Sequence, residues 1–168
     1  MTEPIRILGI DPGLRHTGWG VIEQTGAHLR HIDHGVINID PDLAMADRLA
    51  GIFYAVGKIV ETHKPDYSGV EETIVNANPR SALKLGQARG AAMTALSFQG
   101  LAVAEFAPRA IKLTVVGTGK ADKAQVQFMV SRLLPRAGKM REDAADALAC
   151  AICTAHNLPR LKFEETAA

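Results

Sequence analysis

Apolar residues occur in short runs over the first 40 residues and at helical spacing in much of the remaining chain. The run at Ile5–Asp11 leads into Pro12-Gly13 and predicts a core strand that enters a turn. Partial alternation of apolar and polar residues over 17–23 and 29–39, with glycine breaks, predicts two more strands. The chain therefore opens with a meander of three strands.

After this meander, the pattern alternates between strands and helices. Residues at intervals of three and four predict helices, and short apolar runs predict strands. The predicted elements are a helix from 40–42 to about 62, a strand over 67–70, a helix over 79–98, a strand over 101–106, and helices over 110–116, 121–134 and 141 to about 156. This order predicts an α/β fold of the RNase H-like plan, with a mixed five-stranded sheet, its first three strands an antiparallel meander, flanked by helices on both faces.

The length of 168 residues predicts one domain over 1–158, with a frayed tail over 159–168. No apolar run is long enough to span a membrane, and the N-terminus lacks a signal-peptide pattern, so a cytoplasmic location is expected. Cys150 and Cys153 lie three apart in an alanine-rich helix, which favours two buried thiols over a disulfide or a zinc site.

Charge is distributed unevenly along the chain although the net charge is only +1. Residues 1–72 contain six Lys and Arg against eleven Asp and Glu, whereas residues 108–141 contain eight Lys and Arg against Asp122 alone. This asymmetry suggests that a polyanion docks on one side of the molecule. A solvated basic helix surface would give the same count, so both interpretations stay open.

Two carboxylates stand out in the last predicted helix. Asp143 and Asp146 are three residues apart and therefore share one face of a helix that is otherwise apolar. Like charges on a buried helix need a cation or a proton to neutralise them. The helix dipole explains acids in a first turn, such as Glu142 and Asp143, but explains Asp146 less well.

Two further carboxylates end predicted strands. Asp11 ends the first strand and Glu71 ends the fourth, where ligands of α/β sheets gather. Turn chemistry before Pro12-Gly13 and a plain exposed strand end are the alternatives. Four carboxylates without a histidine cluster are a hard ligand set, which selects magnesium or manganese over zinc. Two such ions can activate water and stabilise the leaving oxygen of a phosphodiester.

Several motifs resemble the RuvC family of Holliday-junction resolvases, which belongs to the RNase H-like nucleases. The resemblance covers residues 5–156 in order and spacing. The matching motifs are Gly9-Ile10-Asp11-Pro12-Gly13 with Thr17-Gly18, Pro65-Asp66-Tyr67 with Val70-Glu71, residues 81–90 (SALKLGQARG), Thr114-Val115-Val116-Gly117, and residues 143–149 (DAADALA).

The resemblance implies a structure-selective endodeoxyribonuclease that acts in homologous recombination and DNA repair. It would cut two strands of like polarity at a four-way junction and leave ligatable nicks. Asp11, Glu71, Asp143 and Asp146 would be the catalytic and metal-binding acids, with two Mg²⁺ ions per active site and Mn²⁺ as a substitute. A homodimer is implied because paired cuts need two sites related by a two-fold axis, and the RuvA–RuvB branch-migration complex is an implied partner.

A second set of residues is predicted to contact DNA. The family places DNA-contacting lysines at Lys112 and Lys123, and Lys120 lies in a turn beside them. The segment Gly117-Thr118-Gly119-Lys120 lacks the first glycine of a phosphate loop. The remaining candidates are Arg80, Arg89 and Ile74, which stands where the family often has an aromatic residue near the junction crossover. Isoleucine can wedge between bases but cannot stack as a ring does.

Gly86 and Gly90 are four apart in the predicted helix over 79–98 and would allow another backbone to approach. Either packing within the chain or a dimer contact would use them. Three other functions compete with the nuclease. They are an ATP-using kinase or chaperone of the actin-like class, which needs a duplicated domain that 168 residues cannot hold, a ribonuclease or rRNA-processing nuclease of the same fold, and a non-catalytic junction-binding module. The last would have no reason to keep four acids.

Overall fold

The computed structural model describes residues 3–74 and 77–167, of which 161–167 are described by their backbone alone. None of the helices found there combines the length and hydropathy that crossing a bilayer requires. In chain order the elements are β1 (Ile5–Asp11), β2 (His16–Thr25), β3 (His28–Asn38), α1 (Met45–His63), β4 (Tyr67–Glu71), α2 (Pro79–Phe98), β5 (Val103–Phe106), α3 (Pro108–Val116), α4 (Lys123–Leu133), a 3₁₀ turn (Pro135–Ala137) and α5 (Glu142–Ala167).

The predicted mixed five-stranded sheet is confirmed, with the strand order β3-β2-β1-β4-β5. The first three strands pair antiparallel, β4 joins β1 in parallel, and β5 joins β4 in parallel. Parallel neighbours end at the same edge of a sheet, and here Ile10 of β1 lies beside Val70 of β4. Asp11 and Glu71 follow these two residues, so they end adjacent strands.

Helices cover both faces of the sheet, as predicted. Neighbouring residues of a strand point to opposite faces, and β1 divides its side chains accordingly. Ile7 packs in a core with residues of α3, α4 and α5, whereas Leu8 and Ile10 pack in a second core with residues of α1 and α2. β1 is therefore buried on both sides, which explains its continuous apolar run.

Helix α5 lies directly against the backbone of the sheet. Every residue from Ala147 to Ala155 is at most 1% exposed. A Cβ added at Gly9 of β1 would overlap the Ala147 carbonyl oxygen, and a Cβ at Gly69 of β4 would overlap the Thr154 hydroxyl. The strands can meet the helix this closely only because these positions have no side chain. The prediction that α5 is a buried helix with free, buried Cys150 and Cys153 is confirmed.

Several predicted boundaries are wrong by a few residues. Residues 40–42 form a turn, in which the Asp40 carboxylate accepts the Asp42 backbone N–H at 2.9 Å, and helix α1 begins only at Met45. Helix α4 begins at Lys123, because Asp122 caps it by accepting the Gln125 backbone N–H.

The largest boundary error concerns the last helix, which was predicted to end near His156. The backbone stays helical through Pro159 to Ala167. Proline disfavours a helix interior locally, but the buried turns before it, down to Leu158, hold α5 against the sheet. The single domain over 1–158 and the fraying of 159–168 in solution stay predictions.

We expect Gly9→Ala to lower the free energy of unfolding by about 1–3 kcal/mol, because the new Cβ would push α5 away from β1. Gly57→Ala in α1 is the matched control, since its Cβ would meet only the Gln99 side-chain nitrogen at 3.4 Å. Alanine there should stabilise the helix by about 0.5–1 kcal/mol. Urea unfolding measures both, and a Gly9→Ala chain as stable as the parent would contradict the close contact.

Candidate active site

The four predicted acids come together at one edge of the sheet. Asp11 and Glu71 are the last residues of the parallel neighbours β1 and β4. Helix α5 begins at Glu142 and places Asp143 and Asp146 in its first turns over the same edge. Gly18, the β2 residue opposite Asp11, has no side chain, and a Cβ there would overlap the Asp143 carbonyl oxygen. The start of α5 is therefore held beside the end of β1.

Burial and mutual repulsion raise the pKa values of three of these acids. Burial is the largest cause for Asp11, whose pKa rises to about 8, and Glu71, Asp146 and Asp143 raise it further. Burial followed by repulsion from Asp146 raises the pKa of Glu71 to about 7. Burial also raises the pKa of Asp146 to about 6, against the opposing effect of Lys123. The four carboxylates thus form one electrostatically coupled group, called here the acid cluster.

A cavity of ≈ 270 Å³ opens beside two members of the acid cluster. Its walls include Asp11, Glu71, Ile74 and Leu85. Asp143 and Asp146 do not line it: Asp143 lies 3.5 Å from the Arg141 guanidinium and Asp146 lies 4.0 Å from the Lys123 amine. The cluster is therefore divided between a cavity and a rim of basic side chains.

The donor chemistry of the acid cluster fits a hard divalent cation. Across the described residues, no three His, Cys, Asp or Glu side chains converge tightly enough to form a ready-made metal site. Asp143 and Asp146 are instead near the basic groups of Arg141 and Lys123. Burial and, after it, repulsion between the acids raise the pKa values of Asp11 and Glu71, and a bound cation would relieve both effects. Carboxylate oxygens are the ligands that Mg²⁺ and Mn²⁺ prefer.

Two of the predicted lysines lie beside the acid cluster. The Lys123 amine donates a hydrogen bond to the Glu142 carboxylate, and this bond raises the pKa of Lys123. The Lys123 side chain is 70% exposed. Lys112 lies close enough to Glu71 and Asp146 to lower the pKa values of both. Lys120 is exposed in the turn between α3 and α4. Lys123 and Lys112 thus place positive charge beside the acids.

The other predicted DNA contacts have different surroundings. Ile74 is 56% exposed and lines the cavity beside Asp11 and Glu71. Arg80 is exposed in the first turn of α2. Arg89 points into the protein: its Nε donates to the Glu71 carbonyl oxygen at 3.0 Å, and its guanidinium is paired with Glu105. Since these donors are used within the chain, the structure argues against the predicted DNA contact of Arg89.

Sequence reasoning missed three contributors to this site. Glu142 was explained by the helix dipole, yet it is the hydrogen-bond partner of Lys123. Thr17 is fully buried, and its hydroxyl donates to the Gly13 carbonyl oxygen at 2.6 Å, which tightens the loop after Asp11. Glu105 holds Arg89. The threonine could have been found from its place in the Thr17-Gly18 motif, whereas the two ion pairs join residues 16 or more apart.

Comparisons with known proteins agree with this geometry. A family model described as "Crossover junction endodeoxyribonuclease RuvC" matches residues 7–154. The curated RuvC proteins of Hyphomonas neptunium and Caulobacter vibrioides are 74% and 54% identical to the chain, covering 95% and 91% of it and 95% and 90% of their own length. A solved structure of Thermus thermophilus RuvC with a Holliday junction substrate superimposes with a TM-score of 0.83 at 31% identity, covering 90% of this chain and 93% of that one.

The raised pKa values predict how stability depends on pH without divalent cations. Unfolded Asp and Glu titrate near pH 4, whereas folded Asp11 and Glu71 titrate near 8 and 7. Between about pH 4 and pH 8 the folded chain binds more protons than the unfolded chain, so the free energy of unfolding falls as pH rises. We expect a loss of about 2 kcal/mol or more between pH 5 and pH 8.5 in a chelator.

Unfolding titrations of the Asp11→Asn variant test the source of this pH dependence. The variant should lose much less stability over the same range, because its side chain cannot ionise. The exposed Glu61→Gln variant should keep the full dependence. Added Mg²⁺ should stabilise the parent chain more at pH 8.5 than at pH 5. Stability that stays constant or rises with pH would contradict the burial of the acid cluster.

Proposed function

Because the chain belongs to the RuvC family of crossover junction endodeoxyribonucleases, we propose that it resolves Holliday junctions in homologous recombination and DNA repair. It cuts two strands of like polarity by hydrolysing phosphodiester bonds. The observation that carries this function is the acid cluster: Asp11, Glu71, Asp143 and Asp146 lie at one sheet edge. Burial and repulsion raise the pKa values of Asp11, Glu71 and Asp146. Such a group is suited to bind cations and, with them, a phosphate.

Magnesium is the proposed cofactor, with manganese as a substitute and two ions per active site. All four acids of the cluster would hold the ions through carboxylate oxygens. When bound, such ions lower the pKa of an attacking water and stabilise charge on the leaving oxygen. The chain itself contributes the geometry, because the ends of β1 and β4 and the first turns of α5 hold the carboxylates near one another.

The basic side chains around the acid cluster would bind the DNA backbone. Lys123 is mostly exposed and lies 4.0 Å from Asp146, so a phosphate beside the acids would also meet this lysine. Lys112 also lies near Glu71 and Asp146, and the exposed Lys120 and Arg80 are further proposed phosphate contacts. Phosphate contacts of this kind position a nucleic acid without reading its sequence. They would place the scissile bond at the cluster.

Ile74 would contact the bases near the crossover. Its side chain is more than half exposed and lies at the cavity that Asp11 and Glu71 line. An exposed branched apolar side chain beside a backbone-binding site can insert between base steps and unstack them. We assign this wedge role to Ile74 in place of the aromatic residue that the family often has.

Substitution of Ile74 by serine should reduce opening of the crossover, which a fluorescent base placed at the crossover would report.

A homodimer would supply the second active site that paired cuts require. The outer face of α2 supports this arrangement. On the face shared by Leu83, Gly86 and Gly90, Leu83 is 72% exposed and a Cβ at Gly86 or Gly90 would meet nothing within 4 Å. Another backbone could therefore approach this face closely. Sedimentation at micromolar concentration tests the proposal, and a monomer throughout would contradict it.

Two further properties stay predictions of the family resemblance. Contact with the RuvA–RuvB branch-migration complex would be tested by co-sedimentation with those proteins on a junction. A cytoplasmic location, where a bacterial chromosome is accessible, would be tested by cell fractionation. Material recovered only in a membrane or periplasmic fraction would contradict it.

Substitution of each acid should separate binding from cleavage. We expect Asp11→Asn, Glu71→Gln, Asp143→Asn and Asp146→Asn to slow junction cleavage in Mg²⁺ by roughly a hundredfold or more, because each removes charge that the transition state requires. All four should still bind the junction. Glu61→Gln, an exposed acid on α1, is the matched control and should cut within about twofold of the parent, the usual effect of a small surface change.

The choice of substrate tests the function itself. The parent chain should cut a synthetic four-way junction and leave linear duplex and RNA–DNA hybrid largely intact. Normal cleavage by Asp143→Asn would remove the acid from the proposed site. Preference for the hybrid would favour a ribonuclease, and tight junction binding without cleavage in Mg²⁺ or Mn²⁺ would favour a non-catalytic junction-binding module.

The lysines should determine how binding depends on salt. We expect Lys112→Ala and Lys123→Ala each to weaken junction binding, and to reduce the slope of log affinity against log salt by about one, because one phosphate contact is lost. Fluorescence anisotropy at several salt concentrations measures both. Lys58→Ala, on the exposed part of α1, is the control. Unchanged slopes for both test variants would exclude these lysines from the DNA surface.

A further inference from the structure

Arg89 lies next to the acid cluster although it is not one of its members. On helix α2 it follows Leu85 by four residues, so the two side chains share a face. Leu85 lines the cavity with Asp11 and Glu71. The Arg89 side chain is only 18% exposed. It is therefore directed toward the end of β4 instead of toward solvent.

The guanidinium of Arg89 joins three elements. Its Nε donates a hydrogen bond to the backbone carbonyl of Glu71, the last residue of β4, at 3.0 Å. Its terminal nitrogen is ion-paired with the carboxylate of Glu105 on β5. In the sheet, Glu105 lies beside Val70, the residue before Glu71. One planar group thus links α2, β4 and β5 at the point where β4 ends.

Apart from Arg89, the end of β4 is held on one side only, by its pairing with β5. Its pairing with β1 ends at Val70, one residue before Glu71. On the other side, Glu71 pairs with Phe106 of β5, and the Glu72 backbone N–H, just beyond the strand, donates to the Phe106 carbonyl oxygen at 2.9 Å. Glu71 also faces repulsion from Asp146. A strand end that bears a repelled carboxylate needs a fixed anchor if that carboxylate is to stay in place.

We propose that Arg89 is a positioning residue, which holds the end of β4 through the Glu71 carbonyl and Glu105 so that Glu71 stays directed into the acid cluster. It does not contact DNA. This inference rests on the catalytic role proposed above for Glu71. Arginine suits the task because its planar fork satisfies two acceptors in fixed directions, which a lysine amine does not.

The test variant is Arg89→Lys, which keeps the positive charge and removes the fork. We expect kcat for junction cleavage to fall by roughly tenfold to a hundredfold, since displacing a reacting group by about 1 Å has this effect. Junction affinity and its salt slope should stay unchanged. A DNA contact predicts the reverse: weaker binding, a slope smaller by about one and a kcat near that of the parent. That result would overturn the proposal.

A matched control separates positioning from general loosening of the sheet. The Ser68 hydroxyl donates to the Ala102 carbonyl oxygen at 2.8 Å, and so joins β4 to the segment before β5, away from the acids. Ser68→Ala removes this buried bond. We expect it to lower stability without lowering kcat per folded molecule. If it lowers kcat as much as Arg89→Lys does at equal stability, the proposal fails.

A second pair of variants tests the partner of Arg89. Glu105→Gln keeps the shape of the side chain and removes the charge that holds the guanidinium. We expect it to lower kcat less than Arg89→Lys does, and to add no further loss when the two changes are combined, because both break one link. Losses that multiply in the double variant would show independent roles and overturn the proposal.

Hydrogen exchange gives a readout that does not depend on activity, metal or DNA. The Glu72 amide should exchange faster in Arg89→Lys than in the parent, and Ser68→Ala should leave it protected. Unchanged protection in Arg89→Lys would contradict the anchor. The proposed function fails separately: normal cleavage by Glu71→Gln would remove the catalytic role of Glu71. Inactive Glu71→Gln together with a fully active Arg89→Lys would overturn the positioning role alone.

Discussion

The direct contact between helix α5 and the backbone of the sheet is the constraint on which the site depends. The strands have glycine where they meet α5, at Gly9, Gly18 and Gly69. No side chain separates the helix from the strand backbone at these positions, so the two are in direct contact. A single Cβ at one of these positions would force the helix outward, because protein interiors are close-packed and transmit such a shift. The first turns of α5, and the two carboxylates that they bear, would move with it.

This contact brings acids together in a place that disfavours their charge. Burial and mutual repulsion raise the pKa values of Asp11, Glu71 and Asp146, which opposes folding as the carboxyls ionise. The fully buried turns from Ala147 to Ala155 provide the packing that offsets this effect. The acid cluster is thus a region of local conflict inside an otherwise consistent fold, which is common at functional sites.

Two helices from opposite faces of the sheet meet at this edge and hold it in different ways. α5 supplies charge directly, through Asp143 and Asp146. Helix α2 contributes no carboxylate to the cluster. Its Arg89 guanidinium instead binds the backbone carbonyl of Glu71 at the end of β4. Because the same α2 presents the exposed face that we propose for the dimer, subunit contact and the position of Glu71 would share one rigid element. Lys123 and Lys112 lie beside the acids and partly offset their negative charge.

The sequence by itself determined the strand order of the meander, the helices on both faces and the buried α5, because each depends on local periodicity or a contiguous motif. It also singled out the four acids, whose catalytic role stays a prediction. Only the tertiary structure decided which side chains and backbone groups become partners. In the sequence, nothing distinguishes the partners of Arg89 from those of any other helical arginine. Only the folded chain brings Glu105 and the Glu71 carbonyl beside it. Glu142 likewise acquires a partner in Lys123 only when α4 and α5 pack together. Contacts between residues distant in the chain leave no periodic signal in it.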